Sequence, residues 1–418
     1  MRLLIVASLL LLISSVQAQT LISAKPEQAG MSAERLQRVD QMVNGFLSQG
    51  QIPGAVVLIA RHEKIVYHKA YGYSNLENKT PLKPNDIFRI ASQSKAITSL
   101  AAMMCFEEGK FLLDEPVSKY IPEFKNPRVL VNFNEKDSSY FTEPAKSEPT
   151  IRQLLTHTSG IDYAGIGSKE LRAIFAKAGV PSGIGNHQGL LADKMKILAK
   201  LPLKHHPGER YTYGLNTDVL GYLVEIWSGM SLDQFFKTRI FSQLGMNDTY
   251  FYLPAEKHNR LVTLYETRDG KLAQPAGKIY DGVIPEYPTL AGTYYSGGAG
   301  LSSTVEDYAK FLQLFLNNGV YNGKRLLSRK TIELMLTNQV QPPLTNQMGL
   351  GFGLETLAND HQSIYSVGSF SWGGAFNTHY WADPKEKLVG LIFTNMYNSP
   401  VWSIGDKFKI ATYQAIVD

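Results

Sequence analysis

The stretch Phe88-Arg89-Ile90-Ala91-Ser92-Gln93-Ser94-Lys95 decides how this chain is read. Ile87 to Ala91 reads as a short apolar strand end. Gln93 to Glu108 is rich in helix formers, among them Ala96, Leu100, Ala101, Ala102, Met103 and Met104, and Gly109 stops the run. Ser92 therefore falls at a strand-to-helix junction. Lys95 lies three residues on, one turn away on the same face. A hydroxyl and an amine held that close make a candidate nucleophile and a candidate base, and the partly positive helix terminus suits a developing oxyanion. The pattern alone is weak. About two Ser-x-x-Lys matches are expected by chance in a chain of this length, and a capping serine followed by a solvated lysine also explains it.

Outward from this junction, the pattern on both sides is that of a sheet. Ser32 to Gln49 carries Leu36, Val39, Met42, Val43, Phe46 and Leu47 on one helical face. Pro53-Gly54 breaks it. Ala55 to Ala60 is an apolar strand, His62-Glu63-Lys64 a turn, and Ile65 to Tyr71 the return strand. Residues 111–290 differ: strand patterns are sparse, Pro and Gly are frequent, and helices are legible at Ile151 to Thr156, Lys169 to Ala178, Leu190 to Leu201, Asp218 to Ser228 and Leu232 to Ile240. Val129 to Pro149 reads as a surface excursion. After Tyr294 come the glycine-rich Gly297 to Gly300, helices at Thr304 to Asn317 and Arg329 to Leu336, and strand candidates at Gly349 to Leu354, Ser363 to Val367, Phe376 to Trp381 and Leu388 to Asn395. Ser403 to Val417 closes as an amphipathic helix. The expected fold is a mixed α/β (α+β) one: a mostly antiparallel sheet flanked by helices, built from residues 19–110 and 291–418. Residues 111–290 form an inserted, mainly helical lobe.

Composition narrows the function. The chain has 418 residues, 44% hydrophobic and 19% charged, enough for a large core and two lobes. Met1-Arg2, the apolar run Leu3 to Ile13 and Val16-Gln17-Ala18 form a secretory signal peptide, residues 1–18, with cleavage expected after Ala18. The run is too short to span a bilayer, so no stable membrane insertion is expected after cleavage. The mature protein is then periplasmic or secreted. Removing residues 1–18 removes Arg2 and no acid, so the net charge falls from +5 to +4. With basic residues scattered, nucleic acid is not an expected partner. The one cysteine, Cys105, permits no intrachain disulfide and reads as a buried small hydrophobe. No histidine has a zinc-like partner spacing, so neither metal nor other cofactor is expected. No Gly-x-Ser-x-Gly pentapeptide suggests an α/β-hydrolase elbow.

Two further motifs carry possible chemistry. Tyr211-Thr212-Tyr213-Gly214-Leu215-Asn216-Thr217-Asp218 sets tyrosines just before a helix, where a phenol near a lysine can shuttle a proton or simply pack the helix entrance. Ser371-Trp372-Gly373-Gly374-Ala375 pairs glycines that let a backbone N–H approach an oxyanion, or make an ordinary turn. Tyr163, Tyr294, Tyr295 and Trp381 are candidate acyl-pocket residues. His157 is expected to structure its own loop.

In their order and spacing, these stretches resemble the serine beta-lactamase and penicillin-binding protein superfamily, in its class C-like branch with the related carboxylesterases. Also part of the resemblance are Ile151 to Ile161, Pro207 to Tyr211, Gly297 to Leu336 and Trp372 to Pro384. It implies Ser92 as the acylated nucleophile, Lys95 as its proton acceptor or tuner, and Tyr213 as base in acylation and deacylation. It implies the backbone N–H groups of Ser92 and Ala375 as the oxyanion hole, and Trp372, Gly373, Gly374, Leu215 and Asn216 as substrate-binding positions. Two departures matter. The usual Tyr-x-Asn has Leu215 in third place, with Asn216 one residue late. The usual Lys-Thr-Gly is Trp372-Gly373-Gly374, as in the esterase branch. Trp offers an indole donor and an apolar face but no cation, so about 1.5–3 kcal/mol of carboxylate recognition is missing. The expectation is a serine hydrolase of small-molecule carboxylic esters. The alternatives are a beta-lactamase or D-amino-acid-specific peptidase, and a catalytically silent binding protein on the same fold.

Overall fold

The computed structural model describes residues 20–280 and 282–418; the expected signal peptide lies outside the described residues. The continuous apolar run in β2 (Gly54–Arg61) is buried along its whole length, as a central strand covered on both faces must be. With β1 (Ile22–Ser23), β3 (Lys64–Asn75), β4 (Thr80–Pro81) and four C-terminal strands it forms one eight-stranded sheet. A separate short pair joins β5 (Phe88–Arg89) to β6 (Ser302–Ser303). The C-terminal strands of the main sheet are β7 (Gly353–Leu354), β8 (Phe370–Gly374), β9 (Thr378–Asp383) and β10 (Leu388–Phe393). The order is β1-β3-β2-β10-β9-β8-β7, with β4 on β3. β1 runs parallel to β3 and the other pairs are antiparallel. The chain's two ends thus meet at β2 and β10, and the fold is the expected mixed sheet flanked by helices.

One face of the sheet packs against α1 (Ala33–Ser48), whose apolar stripe Leu36, Val39, Val43 and Phe46 is buried with Trp381, Ile404 and Phe408. Ser32 starts α1 by accepting from the Arg35 N–H. The other face receives α2 (Ser94–Glu107) and the helices beyond it. These are α3 (Ile151–Leu155), α4 (Lys169–Lys177), α5 (Leu191–Ala199), α6 (Asn216–Ser228), α7 (Leu232–Phe235), α8 (Val305–Leu316) and α9 (Arg329–Met335). α10 (Ile404–Tyr413) completes the α1 side. Within the expected surface excursion, Tyr140–Pro144 pairs with Arg128–Phe133 in a hairpin.

Other expectations are corrected. Ser363 to Val367 is not a strand: a 3-10 turn at Asp360–Gln362 precedes it, Ile364 and Val367 face solvent, and the sheet resumes only at Phe370. The physical reason is local. Asp383 takes the Ser366 N–H at 3.1 Å, tying the segment to a neighbouring turn rather than to a ladder. The Trp372-Gly373-Gly374 segment lies within β8 and leads through a tight turn into β9. The helix continuing α7 loosens into a π-turn over Phe236–Phe241.

Candidate active site

Ser92 is not a helix cap. It sits in a 3-10 turn, Ala91–Gln93, one step before α2, and neither this turn nor α2 has a side-chain cap at its N-terminus. Ala91 is held at φ 41°, a left-handed conformation that costs a non-glycine residue about 1–2 kcal/mol. The Ser92 hydroxyl is spent elsewhere. Its Oγ lies 2.6 Å from the Tyr213 hydroxyl and accepts from Lys95 Nζ at 3.4 Å. Three groups 121 residues apart at most meet at one oxygen.

Lys95 is 2% exposed. Its Nζ donates to the Gly298 carbonyl at 2.8 Å and stands 4.7 Å from the Tyr213 ring centroid and 5.4 Å from that of Tyr163. Residues 297–301 are wedged along α2: Thr98 donates to the Gly297 carbonyl (2.7 Å), and Ser94 accepts the Leu301 N–H (3.0 Å). Gly298 has no room for a side chain, because an added Cβ would lie 2.5 Å from Asp218 Oδ2 and 3.5 Å from Lys95 Nζ. Asp218 is fully buried and accepts from Ser296 Oγ at 2.6 Å. Burial pushes its carboxyl up, opposed by the Ser296 hydrogen bond and the Lys95 charge. Sequence reading saw Asp218 only at the start of a helix; its buried place beside Lys95 required the fold.

β8 closes the other side. Gly374 permits a near-contact with the turn that carries Ser92, since an added Cβ would be 2.3 Å from the Ile90 carbonyl oxygen. Ala375 follows directly, and neither its N–H nor that of Ser92 donates a backbone hydrogen bond among the described residues. Trp372 turns its ring toward the site, 5.9 Å from Tyr213 and stacked on His157 at 6.3 Å. Gly373 faces the opposite side of the sheet, beside Trp402.

The expected substrate-binding positions do not all converge. Leu215 is wholly buried in the apolar core. Asn216 is wholly buried too, bonded to Ser159 and to His157 Nδ1. The reason is the one-residue offset: α6 begins at Asn216, which turns that amide inward onto the 157–161 loop. Of the candidate pocket aromatics, Tyr163 reaches the site, 5.5 Å from Tyr213. Trp381 belongs to the α1–α10 side, against Phe408 and Tyr413. Tyr295 packs on Phe251 and Tyr252, and Tyr294 is buried in the core. Among the described residues no group of three His, Cys, Asp or Glu side chains could hold a metal ion, and no helix is long and apolar enough to cross a membrane.

A hydroxyl, an amine and a phenol around one oxygen, next to two free backbone N–H groups, can support acyl transfer to serine. Residues 39–410 match the Beta-lactamase protein family. The chain belongs to that family. Its relatives in the Beta-lactamase family include esterase EstB of Burkholderia gladioli, 28% identical over 90% of this chain and 94% of that one. The lovastatin esterase of Penicillium rubens is 30% identical over 84% of this chain and 91% of that one. Among solved structures, EstCE1, a hydrolase with promiscuous acyltransferase activity, superposes with a TM-score of 0.78 at 27% identity, covering 91% of this chain and 99% of that one. Esterase relatives of this kind support hydrolase activity for the chain.

Proposed function

We propose that this protein is a secreted serine hydrolase that cleaves carboxylic esters through a covalent acyl-enzyme on Ser92. The observation that carries the reading is the meeting of Tyr213 (2.6 Å) and Lys95 (3.4 Å) at Ser92 Oγ. The Ser92 oxygen attacks the ester carbonyl while its proton passes to whichever neighbour stands deprotonated, a Tyr213 phenolate beside the Lys95 ammonium or a neutral Lys95 amine beside the Tyr213 phenol. The tetrahedral oxyanion is held by the N–H groups of Ser92 and Ala375. Its collapse breaks the C–O bond to the alcohol, which leaves with the proton that serine lost. Water then attacks the acyl carbon, gives its proton to the same acceptor, and the acid departs as Ser92 regains a proton.

The preference for neutral esters rests on Trp372. By the family resemblance its indole replaces the lysine that binds the carboxylate of beta-lactams and peptide C-termini, and it contributes an apolar face in place of a charge. Export rests on the N-terminal basic, apolar and small-residue pattern. The test is turnover by the mature chain of p-nitrophenyl acetate and butyrate, nitrocefin and a D-alanyl peptide. Esters are expected to be turned over best. Efficient turnover of nitrocefin or the peptide over esters would reverse the assignment, and failure of a fluorophosphonate to label Ser92 would leave a silent binding protein.

A further inference from the structure

His157 offers something the acyl-transfer chemistry does not use. It follows α3, whose start is fixed by a reciprocal Thr150–Gln153 capping box. The residue is held in the left-handed region at φ 57° and is 3% exposed. Its ring completes an aromatic wall beside the nucleophile: 5.0 Å from Tyr213 and stacked on Trp372 at 6.3 Å and 17°.

The hydrogen bonds around Asn216 fix the histidine's tautomer. Ser159 Oγ accepts the Ile161 N–H at 3.1 Å and donates its own proton to Asn216 Oδ1, an oxygen that can only accept. The amide nitrogen of Asn216 faces the carbonyls of Ile161 (3.5 Å) and Thr212 (3.4 Å), which only a donor tolerates. That same nitrogen lies 3.1 Å from His157 Nδ1, so Nδ1 accepts and the proton of the neutral ring sits on Nε2. Burial, with the Lys95 charge second, brings the imidazolium pKa down to about 3, so the ring stays neutral at working pH. No hydrogen bond from Nε2–H is found among the described residues, and Nε2 is not one of the fully enclosed unpartnered atoms, so it keeps some access to solvent. Tyr211 meets the ring in a T-shaped contact at 5.9 Å. A donor that has no protein partner and keeps an opening is available to an acceptor brought by the substrate.

Building on the acyl-enzyme reading of Ser92, we propose that His157 is a specificity-determining donor. Its Nε2–H hydrogen-bonds an ether, hydroxyl or carbonyl oxygen on the substrate, beside the scissile ester, along the Trp372–Tyr213 wall. The cleft then favours oxygen-bearing esters over hydrocarbon esters of the same length.

Two matched pairs test this. On the acyl side, p-nitrophenyl methoxyacetate is compared with p-nitrophenyl butyrate; on the alcohol side, 2-methoxyethyl butyrate with butyl butyrate. Each pair exchanges one CH2 for oxygen. The kcat/KM ratio within each pair is measured for the parent protein, His157→Phe and His157→Gln. Comparing ratios between variants cancels the intrinsic reactivity of each ester. In at least one pair, His157→Phe is expected to lower the ratio about tenfold, with partial recovery in His157→Gln, which restores an N–H. Ratios unchanged in both pairs, with Ser92 still labelled by fluorophosphonate, would overturn the proposal and leave the acyl-enzyme reading intact. Absence of labelling in the parent protein would instead remove that reading. Should His157→Phe fail to fold, 15N-histidine spectra of the unaltered protein still decide. A proton on Nδ1 rather than Nε2 would contradict the assignment.

Discussion

Two lysine–tyrosine clusters in this protein share the same contact distance and differ in everything chemical. On the α1 side of the sheet, Lys69 Nζ stands 4.7 Å from the Tyr67 ring, as Lys95 Nζ does from Tyr213. Lys69, however, is bonded to Asp40 at 2.8 Å, and Tyr71 donates to the same carboxylate at 2.8 Å. Burial, reinforced by Asp40, pushes the Tyr67 and Tyr71 phenols well above their ordinary range, so their protons are locked on. Around Lys95 there is no carboxylate within ion-pair distance among the described residues; its one hydrogen-bonded neighbour besides Ser92 is the Gly298 carbonyl. A cation over a tyrosine therefore says little. What marks the Lys95 pair as the proposed catalytic one is a serine hydroxyl between the two groups, with no carboxylate bonded to the lysine among the described residues.

Mutation can break this contrast. The largest effect is expected for Ser92→Ala, which should reduce p-nitrophenyl butyrate turnover by at least ~10³-fold, while Tyr67→Phe stays within about twofold in the same assay. Next come Lys95→Ala and Tyr213→Phe, each expected to cost ~10²–10⁴-fold. The double variant should be little worse than either single one, because the groups act on one proton; the matching Lys69→Ala should leave turnover within about twofold. Trp372→Lys sharpens the contrast by giving the site a second cation. It should shift the nitrocefin-to-ester ratio of kcat/KM toward nitrocefin by ~10–100-fold, the size of a charge-assisted contact.

The smallest effect concerns stability. His157 and His379 are buried neutral, with burial bringing their pKa values down to about 3 and about 4 from an ordinary 6.5. Between those values and pH 6.5 the unfolded chain binds protons that the folded one refuses, so their contribution is complete above pH 6.5 and fades as pH falls through this window. His157→Phe should flatten the fall in Tm between pH 6.5 and 4. Asp40→Asn should act only lower, because the folded Asp40 carboxyl lies below its ordinary 3.8. Thermal melts across pH 2–8 separate the two.

Much of the site was legible because its chemistry is local or ordered along the chain. Ser92 and Lys95 lie within one turn, and Tyr213 follows in a motif whose order along the chain carries the family resemblance. The sheet was legible from the fully apolar run of β2 and its partner β10. What escaped depended on packing. A one-residue offset cannot be seen to send Asn216 inward until α6 is known to begin there. Trp381 and Trp372 look alike as aromatics on adjacent strands, but strand alternation sends them to opposite faces. Ser363 to Val367 had strand-like composition without a strand to pair with. The roles of His157 and Asp218 arise from neighbours about 60 to 120 residues away, beyond any local pattern.

The central claim is a covalent bond to Ser92, and intact mass tests it most directly. The protein is mixed with p-nitrophenyl butyrate, quenched in acid within the first turnover, and weighed whole and after digestion. One butyryl group on the peptide carrying Ser92, absent in Ser92→Ala, is the predicted result. Sustained ester turnover with no acyl adduct, or with the adduct on another residue, would contradict it.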